Sequence, residues 1–147
     1  MKTLKIRLKE ENFKRIMDAL QYQLDNYKHP LNVAKFYKNQ LEGSYKLSEE
    51  EILERKEYIK KFTEEFEAFL EMTKKINGKG KLDVELEDAE FDIFLKCLEN
   101  QMGYSKYRLK DFKEDRFRWG KDKCKVLIDD ETKFWETLNY VYKKAKI

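Results

Sequence analysis

Five consecutive residues of the chain could form a metal site for catalysis. They are Asp129, Asp130, Glu131, Thr132 and Lys133, and the alternating pattern before them predicts that they follow a strand. Carboxylates with a Glu-x-Lys group at a strand end are typical of metal-dependent nucleases, in which the acids hold Mg²⁺ and the lysine assists the attacking water. The same acids suit the first turn of a helix, because they complement the positive end of its dipole. We favour the helix cap, and a metal-dependent nuclease stays as the third hypothesis.

A second stretch, Tyr104–Lys125, combines positive charge with aromatic rings. It contains nine basic and four acidic residues, whereas the whole chain has a formal net charge of only +3. Such a mixture suits phosphate backbones and base stacking. It suits an acidic groove of a protein equally well, since Arg, Tyr and Trp often dominate the binding energy of protein interfaces. A partner-binding site is therefore expected in this stretch.

The residues expected to contact the partner follow from a predicted β-hairpin between Arg116 and Ile128. Alternating residues on both sides of a glycine-containing turn are typical of a hairpin. Arg116 and Arg118 then project from one face, and Phe117 and Trp119 point the other way. Alternatively, the two arginines pair with acidic residues across the sheet. The predicted partner-binding residues are Tyr107, Arg108, Arg116, Arg118, Trp119 and Lys121.

The rest of the chain lacks the residue types on which most enzymes depend. Its one histidine, His29, lies next to Pro30 and has no Cys/His cluster at metal-ligand spacing near it. The GxSxG, HExxH and Rossmann glycine motifs are absent from the sequence. We therefore assign no catalytic, cofactor-binding or metal-binding residue, and we expect a protein that is not an enzyme and uses no cofactor.

Length and composition predict a single domain spanning residues 1–147. Charged residues make up 41% and hydrophobic residues another 41%, which is too apolar for a disordered chain. No apolar run approaches the roughly 20 residues that a membrane span requires. Two cysteines, Cys97 and Cys124, are too few for a disulfide framework. We expect a cytoplasmic monomer or homodimer with free thiols and no membrane partner.

One sequence unit occurs twice, in residues 3–24 and 81–102. Each copy alternates apolar and polar residues, as a half-buried strand does, and then changes to the 3–4 spacing of an amphipathic helix. The outward residues of the first strand are basic and those of the second are acidic. Because opposite charges on facing positions stabilise strand pairing, we expect the two strands to be neighbours in one sheet. The strand residues concerned are Lys5, Arg7 and Lys9 in the first copy and Asp83, Glu85 and Glu87 in the second.

Between the two copies the sequence predicts one long helix, at about residues 48–76. Ser48 and Glu51 have the spacing of a capping box, and no helix-breaking residue follows before Asn77. Leu86 and Phe62 are predicted core residues. After the second copy, Gly103 is expected to end a helix.

The predicted fold class is α+β. It has a small mixed or antiparallel sheet of 3–4 strands, covered on one face by 4–5 helices, with the duplicated strand–helix unit and the long helix as its main parts. The last helix is expected to begin at Asp129 or Asp130.

We expect the chain to be a non-enzymatic small binding protein that docks on another protein, as an inhibitor or accessory of a nucleic-acid-processing complex. The histidine-poor, Lys/Glu/Tyr/Phe-rich composition is similar to that of many small phage-like proteins of bacterial mobile elements, some of which inhibit host machinery by binding it. The alternative is direct DNA or RNA binding through Tyr104–Lys125. Affinity for bare nucleic acid that falls steeply with salt would favour this alternative.

Overall fold

The computed structural model describes residues 1–147, and 77% of them are helical. The structure has five helices and a sheet of only two strands. The expected sheet of 3–4 strands under 4–5 helices is therefore wrong. The strands are β1 (Lys2–Ile6) and β2 (Leu82–Leu86), and the helices are α1 (Glu10–Asp25), α2 (Lys28–Glu42), α3 (Glu49–Lys79), α4 (Asp88–Lys113) and α5 (Lys121–Ala145).

The two strands pair antiparallel, so the prediction that they are neighbours in one sheet is confirmed. Leu4 lies opposite Val84, and Ile6 lies opposite Leu82; all four side chains are buried on the same face. On the exposed face Lys5 lies opposite Asp83. This cross-strand pair of opposite charges favours the observed register.

The core is built from both copies of the repeated unit. Ile16 and Leu20 of α1 are fully buried, and so are Phe94 and Leu98, the residues at the same positions of α4. They pack with the inward face of the sheet and with buried residues near the C-terminal ends of α3 and α5. The residues of α3 and α5 in this core are Phe69, Met72, Ile76, Leu138 and Val141.

The long helix α3 begins where the sequence predicts. The Ser48 hydroxyl accepts the Glu51 N–H at 3.1 Å, and the Glu51 carboxylate accepts the Ser48 N–H at 3.3 Å. The helix continues to Lys79 and ends at Gly80, whose φ of +65° is a left-handed conformation that glycine adopts without a steric penalty. At 1.5 Å per residue, α3 is about 46 Å long.

The first half of α3 lies outside the core and packs against α2, which contacts chiefly this helix. Aromatic side chains join the two helices: the rings of Tyr37 and Tyr58 are 5.2 Å apart, and those of Tyr58 and Phe62 are 4.5 Å apart. Phe62 is therefore half-buried in this helical hairpin, and its predicted place in the core is wrong.

A further correction concerns α4 and α5. Gly103 lies inside α4, which continues to Lys113, and the predicted β-hairpin at Arg116–Ile128 is a loop followed by the first turns of α5. A glycine inside a helix costs only about 1 kcal/mol, and the buried neighbours Gln101 and Ser105 keep this part of α4 packed. None of the five helices combines the length and the apolar character needed to cross a membrane.

Candidate partner-binding surface

The stretch Tyr104–Lys125 forms the end of a second helical hairpin, made by α4 and α5. We call it the basic tip. It consists of the last turns of α4, the loop Glu114–Gly120 and the first turn of α5. Its charged and aromatic side chains therefore project from a loop and two helices, and not from the β-hairpin expected from the sequence.

The Asp115 carboxylate fixes the conformation of the loop. It accepts the backbone N–H of Trp119 at 2.8 Å and that of Gly120 at 3.3 Å. Asp115 and Arg118 both have positive φ angles, of +47° and +56°, and Gly120 has +98°. Asp tolerates the left-handed region better than most residues do. The Asp115 side chain therefore joins the start of the loop to its end.

The same carboxylate also accepts a hydrogen bond from the first turn of α5. The Cys124 thiol donates to Asp115 at 3.2 Å and is buried. Burial raises the pKa of the Cys124 thiol, and the hydrogen bond to Asp115 raises it further. Cys124 therefore remains a neutral thiol at neutral pH and serves as a hydrogen-bond donor that ties the loop to α5.

Two aromatic rings of the loop face the solvent together. The Phe117 ring stacks on the Trp119 ring, with centroids 4.9 Å apart and an angle of 30° between the planes. The Lys123 ammonium lies 4.9 Å from the centroid of Trp119, and the ring of Phe112 is 6.0 Å away. Phe117 is 53% exposed and Trp119 43%, so together they form an apolar ridge on the basic tip.

Most cations of the basic tip have no carboxylate partner within 4.0 Å. Arg108 and Arg116 are the exceptions: Arg108 pairs with Glu131 at 2.7 Å, and Arg116 pairs with Asp111 at 3.3 Å. A set of unpaired, exposed cations leaves a positive field around the aromatic ridge. These cations are Lys106, Lys110, Lys113, Arg118, Lys121, Lys123 and Lys125.

Four of the six predicted partner-binding residues lie in the loop or directly after it: Arg116, Arg118, Trp119 and Lys121. Tyr107 is 74% exposed but lies further back, on α4. Arg108 is held by its ion pair and lies over the ring of Phe134. The alternative, that the two arginines pair with acidic residues of the sheet, is also wrong for Arg116, because its partner is the nearby Asp111.

Sequence reasoning missed Phe117 and Lys123, since a predicted strand placed Phe117 on the inward face. The alternation of basic and aromatic residues gave no sign of the loop. One signal was present: Asp115, followed by Gly120, has the residue types that favour left-handed conformations and turns.

The acidic group at Asp129–Lys133 lies in the middle of α5, so both predicted positions, a strand end and a helix start, are wrong. Asp130 pairs with Arg15 of α1 at 3.0 Å, and Glu131 pairs with Arg108 of α4. These two carboxylates therefore connect helices. No group of three or more His, Cys, Asp or Glu side chains is placed to hold a metal ion.

Comparisons with protein-family models, with curated proteins and with solved structures find no match to the chain. Its function is therefore inferred from the side chains described above.

Proposed function

We propose that the chain is a non-enzymatic binding protein that docks on an acidic surface of another protein through the basic tip. The observation that carries this proposal is the exposed Phe117–Trp119 ridge on a tip where most cations have no carboxylate partner. A partly exposed aromatic group within a charged rim resembles the composition of protein interfaces, in which a few aromatic and Arg residues supply most of the binding energy.

The arrangement of Trp119 favours a protein partner over stacking on bases. Phe117 stacks on the ring, and the Lys123 ammonium lies over it. A base needs a free aromatic face on which to stack. The exposed Phe117–Trp119 ridge is better suited to a pocket on a protein surface, where the ridge becomes buried and the cations meet carboxylates.

We extend the proposal to the class and location of the partner. An inhibitor or accessory of a nucleic-acid-processing complex encounters acidic protein surface beside phosphate, and both attract the basic tip. A cytoplasmic location is consistent with two cysteines that remain free thiols. Either a monomer or a homodimer presents the basic tip in the same way, because the tip is formed within one chain.

Direct binding to DNA or RNA is the second candidate, and one observation favours it. Lys106, Lys110 and Lys113 line a shallow groove along α4 together with Leu109. A row of lysines along a helix suits contacts to successive phosphates. Such binding loses affinity steeply with added salt, and it tolerates any base sequence.

Capture from an extract of the host, with three forms of the immobilised chain, tests the proposal. The first is the unchanged chain, and the second carries Arg118→Glu and Lys121→Glu in the basic tip. The third is a matched control with Lys35→Glu and Lys38→Glu, which changes the charge by the same amount at exposed positions of α2. We expect a protein that the unchanged chain and the control retain and the tip variant loses. Retention of the same proteins by all three forms would contradict the proposal.

A mixed-sequence duplex and a single-stranded oligonucleotide separate the two candidates. Docking on a protein predicts weak binding to both probes at physiological salt. Tight binding to either probe, with a steep loss between about 50 and 200 mM salt and a further loss in the tip variant, would instead establish the second candidate.

A further inference from the structure

A cavity of about 330 Å³ lies where α1 ends and α2 begins, between these helices and the middle of α3 and α4. Aromatic rings form much of its wall. They belong to Tyr27, Phe62, Phe69 and Tyr104, and only Tyr104 is shared with the basic tip. Its volume is at the lower end of the range for small-molecule sites, so it suits a ligand the size of one or two rings.

The cavity also has three side-chain amides in its wall, those of Gln23, Asn26 and Asn100. Gln23 is only 9% exposed, and its Nε2 has no hydrogen-bond partner. Buried polar groups without a partner are rare in folded proteins because they are costly. Because Nε2 is itself fully buried, a ligand in the cavity supplies the missing acceptor when the Gln23 amide turns toward it.

The charges in the cavity wall are balanced. Glu65 and Lys96 both line it, and neither takes part in an ion pair. Burial raises the pKa of Tyr27, and the nearby Glu65 carboxylate raises it further. The phenol therefore stays neutral and offers an O–H donor. The cavity as a whole favours an uncharged ligand with both donors and acceptors.

We propose that this cavity binds an uncharged planar heteroaromatic base of the purine type, from a free nucleoside or from an unpaired base of a nucleic acid. An amide side chain carries a donor and an acceptor side by side, and this pair matches the adjacent acceptor and donor on the edge of adenine. Aromatic walls provide stacking surfaces for the ring. The site shares only Tyr104 with the basic tip and does not depend on the function proposed for the tip.

Adenosine is the probe for the first test. Titration into ¹⁵N-labelled protein is expected to shift the side-chain amide signals of Gln23 and Asn100 saturably, with a Kd below about 1 mM. Adenosine monophosphate is expected to bind within about threefold of adenosine, because the opposite charges of Glu65 and Lys96 leave the wall without a net charge for the phosphate. No saturable shift with adenosine, guanosine, cytidine or uridine at about 5 mM would overturn the proposal.

Two variants test whether the amides recognise the base. Gln23→Leu and Asn100→Ala are each expected to weaken adenosine binding at least about tenfold, or 1.4 kcal/mol. Asn100 is exposed, so Asn100→Ala tests the site even if Gln23→Leu perturbs the fold. Gln101→Leu is the matched control: Gln101 is also buried with an unpartnered Nε2, but it does not line the cavity. Adenosine affinity that is equal in Gln23→Leu, Asn100→Ala and Gln101→Leu would place the site elsewhere.

The source of the base is decided by competition. If the natural ligand is an unpaired base, a short oligodeoxyadenylate binds more tightly than adenosine and an abasic oligonucleotide does not compete. If it is a free nucleoside, adenosine binds more tightly than the oligonucleotide. The Arg118→Glu/Lys121→Glu variant is expected to bind adenosine with unchanged affinity, so failure of the basic tip and failure of the cavity are distinguishable.

Discussion

Asp115 is the residue on which the shape of the basic tip depends most. Its carboxylate receives two backbone N–H groups and one thiol, and its own backbone is in the left-handed region. The hydrogen bonds place Trp119 beside Phe117 and position the first turn of α5. A residue that contacts no partner itself thus determines which side chains the partner meets.

The first prediction compares Asp115→Ala with Asp115→Asn. Alanine leaves the N–H groups of Trp119 and Gly120 without an acceptor, and it adopts the left-handed conformation poorly. We expect a cost of about 0.5–2 kcal/mol, as for the loss of a helix cap. Asparagine keeps an acceptor and tolerates the conformation, so it should cost less. Urea unfolding measures both, and an Asp115→Ala variant as stable as the unchanged chain would show that the carboxylate does not hold the loop.

The second prediction concerns the reactivity of the two thiols. Burial raises the pKa of Cys97 to about 12, whereas the pKa of Cys124 is raised by burial and by Asp115. Asp115→Asn removes the negative charge, which lowers the pKa of Cys124 and increases its thiolate fraction. Alkylation of Cys124 at pH 8 should therefore become faster, while the rate at Cys97 stays the same. An unchanged rate at Cys124 would contradict the hydrogen bond.

At the scale of elements, the sequence predicts strands and helices correctly where one local rule is sufficient. Alternation followed by helical spacing identifies both strand–helix units, and the Ser48–Glu51 spacing identifies the start of α3. It fails at Gly103, where the packing of α4 outweighs the low helix propensity of glycine. It also fails after Arg116, because the short alternating run Lys123–Ile128 fits a strand and a helix equally well. Contacts with α4 stabilise the helical conformation of this run.

The third prediction tests the core formed by the duplicated unit. Leu86 is fully buried beneath the helices, so Leu86→Ala should destabilise the fold by about 2–5 kcal/mol through lost burial and a cavity. Phe62→Ala should cost less, since Phe62 is only half-buried in the α2–α3 hairpin. Leu53→Ala, at an exposed position of α3, is the control and should stay within about 0.5 kcal/mol. Equal thermal midpoints for Leu86→Ala and Leu53→Ala would contradict the assigned core.

The fourth prediction follows from the capping box of α3. The Ser48 backbone N–H donates to Glu51 and lowers the pKa of that carboxyl below its ordinary value of 4.5. Its charged form therefore contributes stability above pH 4.5, and this contribution disappears as the pH falls through the lowered pKa. Glu51→Gln has no such charge, so the stability difference between the two proteins should narrow on acidification. A stability difference that is constant from pH 7 to pH 3 would show that the charge of Glu51 does not stabilise the cap.

At the scale of the whole molecule, a small core supports two helical hairpins, α2 with the first half of α3 and the end of α4 with the start of α5. The sequence predicts where the basic tip lies. It does not show which cations of the tip lack a carboxylate partner. Arg108 and Glu131 are distant in sequence and become an ion pair only when α4 packs on α5. The cavity between α1, α3 and α4 is likewise invisible in the sequence, because its amides come from separate elements.

The most direct test of the basic tip is the affinity of the captured partner, once purified, for three forms of the chain. Calorimetry should show that Arg118→Glu with Lys121→Glu weakens binding at least about tenfold, or 1.4 kcal/mol. The control, Lys35→Glu with Lys38→Glu, should bind within about twofold of the unchanged chain, and circular dichroism should show all three equally folded. Equal affinities for the tip variant and the control would show that the partner docks elsewhere.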